Sequence, residues 1–484
     1  MSVRNQEPNS LWNHFADLNA VPRPSKKEER VIEFMMNFGR ELNLETIKDE
    51  IGNVIIKKPA SPGMENRKKV ILQSHLDMVH QKNGDTVFDF DNEGIKMRVQ
   101  GDWIDAEGTT LGADNGIGVA TIMATLSSNE IQHPALEAFF TIDEETGMTG
   151  AKEMDGSLFT GDILLNLDTE DDDELSIGCA GGIDTNTSYT CESIKAPKEY
   201  SFLQIDIKGL LGGHSGMDID SGRGNANKWM ARILWNISRK SNLLIGTFDG
   251  GGLRNAIPRE AKSIIAVPTA ELKNVQAELE QQSKVLRKEY DTIEPNILIT
   301  HSAAENMSEV ISENDTKKIL NSLCSVHNGV FRMSPDIAGL VETSSSLARV
   351  LIENKQFITQ SLQRSSVETT KDEIAMPIRC TFENMGCVVS QTGDYPGWQP
   401  NPNSDILAIM EQLYKDLYNE DPQVKACHAG LECGILGKHL PNVDMISFGP
   451  NIRAAHSPDE KVQISSVQKF WNFYLETLKK TPLK

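Results

Sequence analysis

Short apolar runs alternate with helical stretches in the first part of the chain. Residues 70–72, 136–142 and 163–167 are apolar runs typical of buried strands, and residues 116–126 form a helical pattern behind a glycine-containing loop. Strands that alternate with helices favour a mostly parallel sheet with helices on both faces. The pattern therefore predicts an α/β domain here.

The pattern changes after Gly181 and Gly182. Residues 203–208 alternate apolar and polar positions, as a half-exposed strand does. Apolar residues recur at helical spacing in 225–238 and 271–290. Further elements are predicted as helices at 316–327 and 344–353 and as a strand at 379–390. This middle region is predicted to be an α+β unit.

The last part of the chain returns to the first pattern. From Gly397 it predicts a helix, then an apolar strand at 444–448, then a terminal helix at 465–479. The simplest organisation is one α/β domain that is interrupted by a large inserted α+β domain.

Composition narrows the class of protein. The 484 residues include 48 basic and 69 acidic side chains, a net charge of −21, which argues against binding to nucleic acid or to an anionic membrane. The chain shows no secretory signal and no apolar run of spanning length. Its seven cysteines form no CxxC pair and are interpreted as reduced thiols, so we expect a cytoplasmic protein.

Histidines and carboxylates stand at or just after the predicted strand ends, or directly before a helix. In open α/β sheets, ligands gather outside the carboxyl ends of the strands, so these side chains are expected to converge on one crevice. They are His75 and Asp77, Asp114, Glu144 and Glu145, Asp168, and His456.

These residue types suit a centre of two divalent metal ions. Zinc accepts imidazole nitrogen and carboxylate oxygen, and two metals close enough for amide hydrolysis need a shared ligand. His75 and Asp168 are predicted to bind one metal and Glu145 and His456 the other, with Asp114 as the bridge. The metal is predicted to be zinc, and manganese or cobalt would accept the same ligands.

Two acidic neighbours of the predicted ligands have separate roles. Glu144 precedes Glu145, so one carboxylate is able to bind metal while the other faces the water. Asp77 lies two residues after His75, and on an extended segment both side chains point to the same side. Asp77 is therefore predicted to accept the second ring N–H of His75.

Taken in this order, the residues resemble the M20 metallopeptidases, and among them the aminoacyl-histidine dipeptidases, over essentially the whole chain. No departure occurs at a metal-ligand position. The resemblance also rests on five further motifs, at residues 212–216, 223–226, 251–258, 363–366 and 428–434.

The resemblance implies a zinc-peptidase-like catalytic domain with a mixed, mostly parallel sheet, in two parts at 1–186 and 393–484. The inserted α+β domain, 187–392, would be a lid that also forms a homodimer. The resemblance assigns Glu144 as general base and Glu145 as metal ligand. His214 matches a histidine that stabilises the oxyanion, in relatives from the neighbouring subunit, and Arg364 and Asn255 match positions that hold the substrate.

The predicted function is hydrolysis of unblocked dipeptides by a metal-bridging hydroxide, including Xaa-His dipeptides such as carnosine-like substrates. An amino-acid deacylase or aminopeptidase on the same scaffold remains an alternative, because spacing does not determine what the pocket accepts. A non-catalytic metal-binding protein is the other alternative, although Glu144 argues against it. The absence of HExxH and GxSxG motifs disfavours a thermolysin-like or serine hydrolase.

Overall fold

The computed structural model describes residues 2–484, which divide into two compact units. The first unit contains the residues up to Gly178, Pro400–Ala426 and Leu431–Lys484. The second unit contains Cys179–Gln399 and Cys427–Gly430.

Helices occur in both units. The α-helices of the described residues are α1 (Asn9–Asn19), α2 (Glu29–Glu41), α3 (Ala113–Ser127), α4 (Thr149–Lys152), α5 (Ala226–Ser238), α6 (Leu272–Tyr290), α7 (Glu313–Ser325), α8 (Glu368–Met385), α9 (Asp405–Tyr418), α10 (Glu432–His439) and α11 (Ile464–Lys480).

Most strands are short, and the longest lie in the second unit. They are β1 (Glu45–Lys48), β2 (Val54–Lys58), β3 (Val70–His75), β4 (Met97–Gln100), β5 (Trp103–Ala106), β6 (Leu136–Thr141), β7 (Ile163–Asn166), β8 (Glu174–Cys179), β9 (Gly181–Thr190), β10 (Ser193–Lys195), β11 (Tyr200–Lys208), β12 (Gly213–His214), β13 (Leu244–Gly250), β14 (Ala256–Ile257), β15 (Ala261–Pro268), β16 (Leu298–Ala303), β17 (Glu309–Ile311), β18 (Gly329–Met333), β19 (Val341–Glu353), β20 (Gln356–Ser365), β21 (Val388–Tyr395), β22 (Gln423–Cys427), β23 (Asp444–Ser447), β24 (Ile452–Arg453) and β25 (Lys461–Gln463).

The first unit is built on a mixed sheet with the strand order β1-β2-β6-β3-β7-β23-β8-β22. Its four central strands, β6, β3, β7 and β23, run parallel, so their carboxyl ends lie at one edge. Antiparallel strands flank them on both sides. Every residue of β3, β6 and β7 is buried, because helices and loops cover both faces of the sheet. The predicted α/β class with a mixed sheet is confirmed.

The second unit is built on an antiparallel sheet with the order β16-β11-β15-β13-β19-β20-β9-β21, to which β18 adds by pairing with β19. Its core joins apolar residues of the sheet to Trp229 of α5, Leu279 of α6, Ile319 of α7 and Phe382 of α8. This unit is therefore α+β.

The units separate after Gly178 and after Gln399, a few residues away from the boundaries predicted at 186/187 and 392/393. The reason is β9, which pairs with β20 and β21 along its length and so belongs to the second sheet from Gly181 onward. Hydrogen bonds between distant strands decide this boundary, which lies close to the change of pattern after Gly181 and Gly182.

Two predicted elements of the second unit are wrong. Residues 344–353 lie in strand β19, because this strand is in the middle of the sheet and nearly all of its residues are buried, which hides the alternation. Residues 379–385 end helix α8, where Ile378, Phe382 and Met385 are buried at helical spacing. Gly386 then ends the helix with φ of 98°, and β21 begins two residues later.

None of the helices in the described part of the chain is both long and apolar enough to span a membrane.

Candidate metal centre

The five predicted ligands come from separate segments of the first unit. His75 is the last residue of β3, Asp114 is in the first turn of α3, and Glu145 and Asp168 follow β6 and β7. His456 lies in the loop between β24 and β25. Because β6, β3 and β7 are parallel neighbours, the residues after them meet at one edge of the sheet.

One group of ligand atoms forms around His75. Its Nε2 atom lies 3.1 Å from Oδ1 of Asp114 and 3.6 Å from Oδ1 of Asp168. His75 is fully buried, and the two carboxylates are largely so. One imidazole and two carboxylates are thus gathered at one point.

A second group forms around His456 and shares Asp114 with the first. Nε2 of His456 lies 3.1 Å from Oδ2 of Asp114 and 2.9 Å from Oε2 of Glu145. Asp114 therefore turns one carboxylate oxygen to each group, and of the residues described it alone belongs to both. A carboxylate that bridges two metal ions has this arrangement.

The donor set and its charges fit divalent cations. Oε1 of Glu145 is buried and has no hydrogen-bond partner among residues 2–484, which leaves a lone pair for a ligand. The hydrogen bonds that Asp114 and Glu145 accept from the His456 ring raise the pKa of His456 to about 11, so the carboxylates stabilise a positive charge at this point. A metal ion would supply that charge, and nitrogen with oxygen donors suits zinc, manganese or cobalt.

Asp77 connects the ligand His75 to the segment that carries Glu144 and Glu145. Nδ1 of His75 lies 3.1 Å from the main-chain oxygen of Asp77 and 3.5 Å from its Oδ1 atom. The fully buried Asp77 carboxylate accepts hydrogen bonds from the backbone N–H groups of Glu144 at 3.0 Å and Glu145 at 3.3 Å. Ser25 also donates to it, at 2.8 Å. The ring N–H thus has the main-chain oxygen as its nearer acceptor.

Glu144 lies beside the two groups without belonging to either. Burial raises the pKa of its carboxyl group well above the usual value, and the charge of Asp168 adds to this effect. Such a carboxyl group holds a proton more readily than an exposed one, which suits a group that accepts and returns a proton near neutral pH.

Two residues of this centre have a left-handed backbone conformation. Asp143 and His456 adopt φ of 53° and 63°, a left-handed conformation that is uncommon for residues other than glycine. The hydroxyl groups of Thr146 and Thr149 donate to the Asp143 carboxylate, and these bonds hold the turn that presents Glu144. Such conformations persist where surrounding contacts enforce them, often at functional sites.

Two further carboxylic acids near the centre had no role in the sequence analysis. Burial raises the pKa of Glu170 to about 7, and the charges of Asp114 and Asp168 contribute. Burial also raises the pKa of Glu432 to about 7. Glu432 accepts a hydrogen bond from Gln73 at 2.6 Å, and its other oxygen has no partner in the described chain. The only feature of the sequence that pointed to Glu432 was its position in the motif at 428–434.

The predicted lid residues form a separate cluster within the second unit. Nε2 of His214 lies 3.4 Å from Nη2 of Arg364, which is 4% exposed. Asn255 is exposed and lies next to His214 through the bond from the Ser215 N–H to the Asn255 carbonyl, at 2.8 Å. The phenol of Tyr395, which the sequence analysis missed, accepts from Nη1 of Arg364 at 3.0 Å.

The His214 ring has a defined tautomer. Its Nδ1 atom accepts the backbone N–H groups of Gly216 at 3.2 Å and Met217 at 3.0 Å, so the proton of the neutral ring is on Nε2. Burial lowers the pKa of His214, and the charge of Arg364 lowers it further. Two N–H donors therefore face each other, an arrangement that an acceptor oxygen between them would satisfy.

Two linked groups of histidine and carboxylate side chains at the strand ends fit the class of metallohydrolases. Comparison with known proteins specifies the family. The model of peptidase family M20/M25/M40 matches residues 71–480. This chain belongs to that family, which confirms the resemblance and the predicted enzyme class, a metallopeptidase that hydrolyses peptide bonds.

Relatives match the chain from end to end. The cytosol non-specific dipeptidase of Escherichia coli (strain K12) is 39% identical over 477 residues, which cover 99% of this chain and 98% of that protein. The crystal structure of aminoacylhistidine dipeptidase from Vibrio alginolyticus is 40% identical with a TM-score of 0.98, covering 100% of this chain and 99% of that one. Aminopeptidase PepT from Bacillus cereus, 15% identical with a TM-score of 0.56 over 98% and 99% of the two chains, shares the fold.

Proposed function

We propose that this protein is a cytosolic dipeptidase that hydrolyses unblocked dipeptides, including dipeptides that end in histidine. The observation that carries the proposal is the pair of ligand groups joined by Asp114, with Glu144 beside them. The dipeptide preference and the location are supported by the names of the two full-length relatives.

A hydrolysis panel tests this function against its alternatives. Dipeptides, tripeptides and N-acetyl amino acids are offered to metal-stripped protein and to protein restored with zinc, manganese or cobalt. We expect metal-dependent cleavage of the dipeptides. Preferred cleavage of N-acetyl amino acids would identify a deacylase, preferred cleavage of tripeptides an aminopeptidase, and no cleavage a non-catalytic protein.

His75, Asp114 and Asp168 would hold one divalent ion, and Asp114, Glu145 and His456 the other. Bound there, the ions would supply Lewis-acid activation of the attacking water and of the scissile carbonyl group. The three ligand carboxylates would offset most of the charge of the two ions. We infer zinc from the mixture of nitrogen and oxygen donors.

Glu144 acts as the general base. Its carboxylate takes a proton from the water as the oxygen attacks the carbonyl carbon, and it returns that proton to the amine nitrogen as the C–N bond breaks. Its raised pKa favours the first transfer, because a carboxylate with a higher proton affinity is a stronger base. Asp77 acts through other groups: it orients His75 and holds the backbone of Glu144 and Glu145.

His214, Arg364 and Asn255 recognise the substrate. The Nε2–H of His214 is suited to stabilise the oxyanion, and the guanidinium fork of Arg364 suits bidentate binding of a free carboxylate. Because Nε2 of His214 and Nη2 of Arg364 are 3.4 Å apart in one unit, the two side chains are able to bind the same substrate molecule. We propose a homodimer in which this pair serves the partner's metal centre.

Carboxyl-amidated dipeptides are expected to be poor substrates. Hydrogen bonds to charged groups contribute about 1.5–3 kcal/mol each, so loss of the carboxylate should lower kcat/KM about 10–100-fold. Steady-state rates on a dipeptide and its amide measure the effect. In Arg364→Ala the difference between the two substrates should largely disappear. Equal rates on both substrates with the wild-type enzyme would contradict the proposed clamp.

Mixed dimers test whether His214 serves the partner chain. A Glu144→Gln chain and a His214→Ala chain should each be nearly inactive alone. If His214 acts across the dimer, their mixed dimer has one site with both defects and one intact site, and should regain half of the wild-type activity. A mixed dimer of Glu144→Gln with Arg364→Ala should regain activity in the same way, because Arg364 contacts His214.

The matched control mixes Glu144→Gln with Asp114→Ala. Both changes lie in the first unit, so every site of that mixed dimer keeps one defect and no activity should return. If mixed dimers of Glu144→Gln and His214→Ala form but remain inactive, His214 acts within its own chain or has no part in the reaction.

A further inference from the structure

A buried carboxylate outside the metal centre holds the segment that leads to Asp114. Oε2 of Glu460 accepts the N–H groups of Leu111 at 2.7 Å and Gly112 at 2.9 Å. Oε1 accepts those of Ala113 at 2.7 Å and Asp114 at 3.2 Å. One side chain, 2% exposed, thus satisfies four successive backbone donors where α3 begins.

A buried arginine holds the same segment through a hydrogen bond to one of its backbone carbonyl groups. Nη2 of Arg23 donates to the carbonyl oxygen of Gly112 at 2.5 Å. Nη1 donates to the carbonyl oxygens of Leu76 and Asp77, both at 3.0 Å. Arg23 is 1% exposed, and its guanidinium occupies the space that a Cβ atom at Gly112 or Gly116 would need. It therefore joins the segment after His75 to the segment before Asp114.

The two side chains also complement each other electrostatically. Burial lowers the pKa of Arg23 to about 10, and the charge of Glu460 is the largest influence in the opposite direction. Glu460 follows His456 by four residues, so one loop carries a ligand of the second group and the carboxylate that holds the bridge. All of these bonds join groups of the protein itself.

We propose that Glu460 and Arg23 are positioning residues that orient Asp114 between His75 and His456. The inference rests on the proposed metal site. Asp114 must direct one oxygen to each group, and a rotation of its backbone would move both oxygens. The four hydrogen bonds that Glu460 accepts from the backbone N–H groups, and the one that Arg23 donates to the Gly112 carbonyl, restrict that rotation.

Metal affinity of Glu460→Gln tests this role directly. Glutamine keeps the shape but replaces one acceptor oxygen with an N–H₂ group that faces two N–H donors. Partners that orient metal ligands typically affect affinity about 10–100-fold, and we expect a loss in that range for Zn²⁺. The measurement is titration of the metal-free protein with zinc and a competing chelator, at a temperature where all variants are fully folded.

Three further variants complete the design. Glu460→Asp keeps the charge and should lose less affinity than Glu460→Gln. Arg23→Lys keeps the charge but loses the fork, and should weaken zinc binding about tenfold, so it replaces Glu460→Gln if that variant does not fold. Glu33→Gln, on the exposed face of α2, is the matched control and should bind zinc as wild type does.

The outcomes separate this inference from the proposed function. Wild-type zinc affinity in folded Glu460→Gln and Arg23→Lys, even with a lower melting temperature, would show that the pair only stabilises the fold and would overturn the proposal. If the wild-type protein itself binds no divalent ions, the proposed metal centre is wrong. Weaker binding in both variants with an unchanged Glu33→Gln supports the positioning role.

Discussion

Glu144→Gln is expected to lose turnover by a factor of about 10²–10⁴ while it keeps both metal ions, because general acid–base catalysis contributes rate factors of this size. Glutamine has nearly the same shape but cannot accept the proton of the attacking water. Glu144 belongs to neither ligand group, so metal binding should not need its charge. Steady-state kinetics and elemental analysis of the same preparations measure the two effects.

The neighbouring residue gives the matched comparison. Glu145→Gln changes the adjacent side chain in the same way, but Glu145 contacts His456 and belongs to the second group. That variant should lose metal as well as rate. Near wild-type turnover in Glu144→Gln would exclude Glu144 as the base, and metal loss in Glu144→Gln equal to that in Glu145→Gln would mean that Glu144 is itself a ligand.

Asp114→Ala should have the largest effect on metal content. Asp114 contributes an oxygen to both groups, so its removal leaves each group with two residues and removes the bridge. We expect two ions per chain in the wild type and fewer than one in this variant, with activity lost in parallel. Elemental analysis at a known protein concentration measures this.

Asp168→Ala is the control for Asp114→Ala, because Asp168 belongs to the first group alone. It should leave the second group able to bind one ion. Full occupancy in Asp114→Ala would contradict the bridging role, and equal losses in the two variants would show that the groups do not bind independently.

The nature of the centre follows from the sequence by itself. The apolar runs before His75, Glu145 and Asp168 are short enough to be strands and apolar enough to be buried on both faces. Parallel strands present their carboxyl ends at one edge, so the residues after them are expected together. Histidine and carboxylate side chains gathered at such an edge leave few chemistries other than metal binding.

Other features depended on the tertiary structure. Residues 344–353 have apolar spacing that suits a helix, yet they form a strand, because β19 is enclosed by neighbouring strands and needs no polar face. The Asp77 carboxylate was predicted to accept the His75 ring N–H. In the structure it accepts the N–H groups of Glu144 and Glu145, and the main-chain oxygen of Asp77 is nearer to the ring.

The positioning of Asp114 is the clearest case of what the sequence could not predict. The bonds from residues 111–114 to Glu460 join positions 346 to 349 residues apart. Their donors are backbone N–H groups, and the acceptors of Arg23 in Leu76, Asp77 and Gly112 are backbone carbonyls. Every residue type except proline offers the same two groups. No side-chain pattern therefore marks the contact. The sequence by itself determined which donors the centre has, whereas only the packing of distant segments decided how Asp114 is held between its two histidines.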